Sequence, residues 1–290
     1  MCLKPTEQTS LYDNLESKSI HEILCDINHE DRKVALAVGE EIPQIENFLL
    51  KLVPRVERGG RLFYLGAGTS GRLGVLDASE IPPTFGMPPT VVIGLIAGGD
   101  KALRSPVEHA EDDDRQGWRD LVARNICNLD TVLGIAASGT TPYVVGALRG
   151  ARLLGCLTAC ITSNPATPLA AVSDVAIELS LGPEYVTGSS RMKSGTAQKM
   201  VLNMVSTALM IRIGRVKGNK MVNMRLSNRK LIDRGTRMIV DELGVSYESA
   251  RQMLLEEGSV AAVLAGQHRG GRSDYDKDNT DVSTNNQLPK

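Results

Sequence analysis

Residues 61–83 read Arg-Leu-Phe-Tyr-Leu-Gly-Ala-Gly-Thr-Ser-Gly-Arg-Leu-Gly-Val-Leu-Asp-Ala-Ser-Glu-Ile-Pro-Pro. A short apolar run, a glycine turn and a helical spacing follow one another without a break. A strand and a helix joined this tightly must pack on each other, and repeats of the unit build a parallel sheet covered by helices. The turn aims backbone N–H groups and the positive helix end at one point, which suits an anion. Thr69 and Ser70 add hydroxyls that either cap the helix or hold a phosphate. Pro82 and Pro83 predict that the helix stops by Ile81, which puts Glu80 near its C-terminus.

Residues 66–71 also fit G-x-G-x-x-G, the dinucleotide pattern. That site wants an acidic residue about 20 positions on, at the end of the second strand. Here the next apolar run is 91–96, and Asp100 lies beyond Gly98 and Gly99. The hydroxyls suit one terminal phosphate better than a buried pyrophosphate. A turn with no ligand is the third reading.

The pattern repeats. Strand-like runs fall at 62–65, 91–96, 131–136, 157–161 and 175–179, and helical spacing separates them, notably at 103–125 and 142–154. Ligands of such sheets bind beyond the carboxyl ends of the strands. The third strand runs into Ala137-Ser138-Gly139-Thr140-Thr141-Pro142, with proline suited to the first helical position. Two hydroxyl-rich turns of one design point to a phosphorylated ligand, against ordinary capping as the alternative. A third polar loop, 187–196, gathers hydroxyls with Arg191 and Lys193 ahead of an apolar helix over 197–213.

The 290 residues allow one large α/β domain and a small appendage. A net charge of −1 and 3% aromatic residues exclude a nucleic-acid surface built on basic patches or stacking. The four histidines are scattered and none of the five cysteines forms C-x-x-C, so no metal set is expected. The first residues lack an apolar signal-like core, and the longest uncharged apolar stretch, 200–211, is too short to span a bilayer. These features predict a cytoplasmic protein with no membrane association.

Residues 1–18 are polar and expected to be poorly ordered. Residues 19–52 are helical, with an interruption near His29. After Gly218 a basic helical stretch (225–242) and two short helices (246–257 and 260–266) resemble a small three-helix bundle. Residues 268–290 have almost no apolar side chains and are expected to be disordered. The expected division is an N-terminal helical segment 1–52, a core domain 53–218, a helical domain 219–267 and a tail 268–290.

Two carboxylates stand out as general acid/base candidates: Glu80, and Glu111 in the acidic run 107–114, with Glu108 as its rival. An acidic run is ordinarily a solvated surface.

Several blocks together resemble one family. They are Gly66-Ala67-Gly68-Thr69-Ser70-Gly71-Arg72-Leu73-Gly74 with Asp77-Ala78-Ser79-Glu80, the glycine-rich stretch 94–99, and Glu108-x-Ala110-Glu111-Asp112. Ser138-Gly139-x-Thr141-Pro142 and Arg191-Met192-Lys193-x-Gly195-Thr196-Ala197-Gln198-Lys199 complete them. They resemble the N-acetylmuramic acid 6-phosphate etherases of the sugar-isomerase (SIS) domain superfamily, over about residues 11–267. The resemblance implies an α/β fold: a three-layer αβα SIS domain with a parallel sheet, plus a small C-terminal, UBA-like domain of three helices. It implies a homodimer without metal or cofactor that cleaves the lactyl ether of a phosphorylated amino sugar by elimination and water addition. By motif match Glu80 is the acid on the leaving oxygen and Glu111 the base at C2. The implied substrate-binding residues are Gly68, Thr69, Ser70, Ser138, Gly139, Thr140, Thr141, Ser189, Ser190 and Lys193. Ile81, Thr140, Ser190 and Ser194 depart from the family's usual cysteine, arginine, threonine and alanine, and Thr140 removes a cation from a phosphate turn. A non-catalytic sugar-phosphate-binding regulator and an SIS-type isomerase are the alternatives. The first usually needs two such domains, and the second does not need both glutamate blocks.

Overall fold

The computed structural model describes residues 4–270. Strands β1 (Leu62–Gly66), β2 (Val92–Ile96), β3 (Thr131–Ile135), β4 (Leu157–Thr162) and β5 (Val175–Glu178) form one parallel sheet in the order β2-β1-β3-β4-β5. All residues of β1, β3 and β4 are buried, which is why these strands read as unbroken apolar runs. The crossovers supply α1 (Ile20–Glu40), α2 (Ile42–Glu57), α3 (Gly68–Phe85), α4 (Gln116–Val122), α5 (Pro142–Leu154), α6 (Pro168–Ala171) and α7 (Lys193–Arg212). In one layer α2 and α3 lie on the sheet, with α7 and α1 packed against them; in the other, α4, α5 and α6 pack together. Phe63, Leu65 and Val132 face the second layer, where Tyr143, Val144, Leu148 and Leu121 close the main core.

Because β1 has β2 on one side and β3 on the other, the connections leaving β1 and β3 diverge. A crevice opens at their carboxyl ends, the switch point where α/β sheets bind ligands. Both hydroxyl-rich turns, 66–71 and 137–142, sit there.

Several sequence expectations are corrected. Helix α3 does not stop at Ile81. It carries Pro82 and Pro83 inside its last turn and ends at Gly86 in the left-handed region (φ 66°). Proline's φ is helical and only its own missing N–H is lost, so two prolines can close a helix that ends three residues later. Helix α1 runs through His29 unbroken, and the break falls at Glu41, ahead of Pro43 in the first turn of α2. The expected helix over 103–125 is mostly turns. Only α4 is helical, begun by Asp113, whose carboxylate accepts the N–H groups of Arg115 and Gln116. Residues 4–18 are ordered through 3₁₀ turns and hydrogen bonds to distant loops.

The described residues divide into two units, the first ending at Arg215 and the second starting at Val216. In the second, α8 (Arg229–Leu243), α9 (Tyr247–Glu257) and α10 (Val260–Gly270) close over Val222, Ile239, Leu254 and Val263. Asn228 and Ser246 cap α8 and α9, and Gly244 and Gly258 end them. Of the tail expected to be disordered, 268–270 belong to α10 and the remainder lies outside the described residues.

Candidate active site

The first turn is built by close approach. A β-carbon on Gly71 would stand 2.6 Å from the Ile96 side chain and 2.7 Å from the Gly66 carbonyl oxygen, so only glycine lets α3 start against the end of β1. Ala67 is the N-cap, and no side chain caps the helix. The first N–H groups of α3, at Gly68, Thr69 and Ser70, therefore carry the anion-binding character of an open helix end. Ser70 itself is buried, and its hydroxyl donates to Oε1 of Gln198 on α7 at 2.9 Å. Thr69 is half-buried beside Gly195, where an added β-carbon would meet its methyl at 3.4 Å.

In the second turn, Thr140 donates from its N–H and its hydroxyl to Ser138 Oγ at 3.2 and 3.1 Å. Gly139 has φ 66°, and a β-carbon there would fall 2.4 Å from Thr167. Ser138, Thr140 and Thr141 are half-buried.

The acidic loop packs onto this second turn. The Glu111 carbonyl accepts the Tyr143 N–H at 3.0 Å in the first turn of α5. Its exposed side chain lines a cavity of about 360 Å³ with Gly68, Arg72, Glu108 and His109. Glu111 thus lines a cavity with the first turn, and its backbone is tied to α5 just beyond the second.

The third loop behaves differently. Lys193 was expected to meet the ligand, but it is 2% exposed and donates to Glu30 Oε2 at 2.6 Å and to the Leu181 carbonyl at 2.9 Å. Buried Glu184 accepts the N–H groups of Lys193 and Ser194 and the Ser194 hydroxyl, capping α7 from nine residues upstream. Helix α7 begins four residues earlier than its apolar pattern, because this cap fixes its start. Burial alone would raise the Glu30 pKa, but hydrogen bonds from Lys193, Lys33 and Tyr12 outweigh it and bring the carboxyl down to about 2. Of the loop residues, Ser189 is half-buried and Ser190 exposed.

Glu80 lies elsewhere. It is twelve residues beyond Gly68 on α3, about 18 Å along the axis. Exposed, it lines a separate cavity of about 320 Å³ with Asp77, Lys199, Asn203 and Ser206. Asp77 accepts a hydrogen bond from Ser206 at 3.1 Å. Burial pushes the Asp77 carboxyl up to about 6, and neighbouring Glu80 adds to this. The hydroxyls of Tyr64 and Ser206 and the charge of Lys199 pull the other way. The Tyr64 hydroxyl and Asp77 Oδ2 are buried without a well-formed hydrogen bond.

Sequence reasoning passed over Asp77, Gln198, Glu30, Glu184 and Asn164. Asp77 and Gln198 lie within the family blocks but belong to no turn or charge cluster. Glu30 and Glu184 find their partners only through tertiary contacts. Among the described residues no cluster of His, Cys, Asp or Glu is placed to hold a metal, and no helix is long and apolar enough to cross a membrane.

Profiles described as the glucokinase regulatory protein N-terminal SIS domain and as the SIS domain match residues 44–152 and 103–208. The chain is 67% identical over 262 residues to an N-acetylmuramic acid 6-phosphate etherase of Bacteroides fragilis, covering 90% of this chain and 93% of that one. It is 70% identical over 257 residues to one of Porphyromonas gingivalis, covering 89% and 94%. An etherase of Erwinia tasmaniensis is 53% identical over 241 residues, covering 83% and 79%. Among solved structures, phosphoheptose isomerases of Neisseria gonorrhoeae and Francisella tularensis share the fold. Each is 15% identical, with TM-scores of 0.52 and 0.50, covering 66% and 69% of this chain and 98% and 100% of theirs.

Proposed function

Since the chain belongs to the family of N-acetylmuramic acid 6-phosphate etherases, whose SIS domain it carries, we propose the following roles for its residues in that family's reaction. The enzyme is a carbon–oxygen lyase. It cleaves the D-lactyl ether of N-acetylmuramic acid 6-phosphate, releasing D-lactate and leaving N-acetylglucosamine 6-phosphate. In the opened sugar the C1 aldehyde acidifies the C2 proton. The Glu111 carboxylate takes that proton and the C2–H electrons move onto the aldehyde as an enolate; the enolate then collapses to form the C2–C3 double bond as the C3–O bond breaks. Glu80 gives its proton to the departing lactyl oxygen. Water then adds at C3, surrendering a proton to Glu80, and Glu111 returns its proton to C2. Both carboxyl groups end as they began.

The observation that supports this assignment is that Glu111 shares a cavity with the first hydroxyl turn and is tied by its backbone to the helix that follows the second. A phosphate held by the N–H groups of Gly68, Thr69 and Ser70 and by Ser138, Gly139, Thr140 and Thr141 leaves the sugar within the Glu111 cavity. Ser189 and Ser190 contribute from the third loop, while Lys193 acts by holding that loop. Glu80, about 18 Å from the turn along its helix, is too far to serve the same sugar from the same chain. We therefore assign Glu80 to the site of a second copy in a homodimer. Free Cys25, Cys127, Cys156 and Cys160 agree with a reducing, cytoplasmic setting.

The test separates the two proton transfers. Glu111→Gln is expected to abolish both lactate release and exchange of the C2 hydrogen with deuterated water. Glu80→Gln is expected to block lactate release but to keep the exchange. Each loss should be about 10²–10⁴-fold. Exchange that survives in Glu111→Gln and vanishes in Glu80→Gln means the roles are reversed; full activity in Glu111→Gln with loss in Glu108→Gln moves the base to Glu108.

A further inference from the structure

The N-terminal segment joins two of the three ligand loops, and the joint runs through Asn164. Asn164 follows β4, is 1% exposed, and makes its contacts with both ends of its amide. Its Oδ1 accepts the Thr6 N–H at 3.1 Å, and its Nδ2 donates to Thr6 Oγ1 at 2.8 Å. The same Nδ2 reaches the carbonyls of Ser138 at 3.2 Å and Ala137 at 3.3 Å, which open the second hydroxyl turn. Four residues on from Thr6, the Ser10 N–H donates to Thr187 Oγ1 at 2.9 Å, in the third loop, and its hydroxyl to the Tyr185 carbonyl at 2.7 Å, two residues before that loop. Tyr12 then packs edge-on against Tyr185 and donates to Glu30.

The chemistry of this contact is directional. A primary amide has a donor end and an acceptor end, and turning it over exchanges them. Thr6 offers one donor and one acceptor to the two ends of the Asn164 amide, and the Ser138 and Ala137 carbonyls demand the same orientation, so one amide ties the segment to the turn. The reverse orientation would set Oδ1 against two carbonyl oxygens, with buried acceptors facing each other. Thr6 is itself 4% exposed, so the pair is shielded from competing water.

We propose that residues 6–10 form a strap that sets the geometry of the phosphate-binding loops, with Asn164 as a positioning residue of the turn at 138–141 and Ser10 performing the same office for the loop at 187–190. Neither residue touches substrate. This inference rests on the reading of 138–141 as the phosphate turn. It adds to that reading a segment outside the sheet-and-helix core as a determinant of affinity for phosphorylated sugars.

The experiment uses the full chain and four single variants: Thr6→Val, Ser10→Ala, Asn164→Ala and Ser138→Ala. Thr6→Val keeps shape and the backbone N–H but removes one of the two hydrogen bonds that tie the segment to the Asn164 amide. It is the variant least prone to misfold and stands in if Asn164→Ala does not fold. Thr6→Val and Ser10→Ala should each raise the KM for N-acetylmuramic acid 6-phosphate about 3- to 10-fold with kcat within about 2-fold, as loss of ground-state phosphate contact requires. Affinity for N-acetylglucosamine 6-phosphate should fall in parallel, while affinity for unphosphorylated N-acetylglucosamine stays unchanged. A raised KM in Ser138→Ala with unchanged KM in both Thr6→Val and Ser10→Ala overturns the strap and leaves the phosphate turn standing. Unchanged KM in Ser138→Ala removes the phosphate turn and the strap's role with it. Equal loss of affinity for the phosphorylated and unphosphorylated sugars also overturns the proposal, because it reports general loosening.

Discussion

Glu30→Gln tests how the third loop is held. The Glu30 side chain is 3% exposed and meets Lys193, Lys33 and Tyr12, and its carboxyl is brought from 4.5 to about 2. That displacement corresponds to about 3 kcal/mol of native-state stabilisation at neutral pH. The folded value is depressed, so the stabilisation is complete above 4.5 and is lost as pH falls through about 2. Removing the charge also leaves the Lys193 ammonium, 2% exposed, with neutral acceptors and no counter-charge. Breaking one side of such a pair typically costs about 3–5 kcal/mol, so about 3–4 kcal/mol is expected here. The double variant Glu30→Gln/Lys193→Met should recover to within about 1–2 kcal/mol of wild type, since an apolar replacement leaves no buried unpaired charge. Trp118, the single tryptophan, packs over Gly150 in the first unit and reports its urea unfolding by fluorescence. The gap between Glu30→Gln and wild type should narrow as pH is lowered from 4.5 towards 2. The reasoning would be refuted by a single-variant loss below about 1 kcal/mol, or by a double variant no more stable than the single one.

Three further outcomes are expected. Asp77 has a folded pKa raised from 3.8 to about 6, so its protonated form favours folding below 3.8 and that contribution is lost as pH rises through about 6. Asp77→Asn should therefore melt above wild type at pH 8 and lose the advantage by pH 4; a variant less stable at pH 8 would contradict this. Mixing inactive Glu80→Gln and Glu111→Gln subunits, with exchange verified by mass, should restore about a quarter of wild-type activity if each site draws one glutamate from each copy of a symmetric dimer. No recovery would place both glutamates of a site in one chain. Gly139→Ala, forced to hold φ 66° and to push into Thr167, should raise KM at least about 10-fold; an unchanged KM would show that the turn geometry is dispensable.

The strand runs, the glycine turns and the order of strand and helix were legible in the sequence because each is local. A parallel strand buried on both faces must be apolar along its length, and a glycine pressed against a strand end tolerates no other residue. Three of the family blocks, at 66–80, 94–99 and 138–142, were legible for the same reason, since they span or follow strand ends. Helix ends were less so. Pro82 and Pro83 look like a stop, yet their φ is helical, and α3 closes three residues later at Gly86. Residues 103–125 carry helical spacing, but their backbone is tied to α5 through Glu111 and capped by Asp113, so only a short helix forms.

What the tertiary structure decided is which side chains meet. Lys193 in a polar loop reads as a phosphate cation; it is turned inward because Glu30, 163 residues away, offers a buried carboxylate. Residues 4–12 read as loose polar chain; Thr6 and Ser10 are held because Asn164 and Thr187 present matching donors and acceptors. Glu80 and Glu111 read as one pair; α3 is a rigid rod that sets them in separate cavities. Composition and spacing determine local backbone choices, where each residue acts on its neighbours within a turn. Partner choice between distant segments depends on the direction of each side chain and on what burial leaves unpaired, and those are set only when the sheet and its layers have formed.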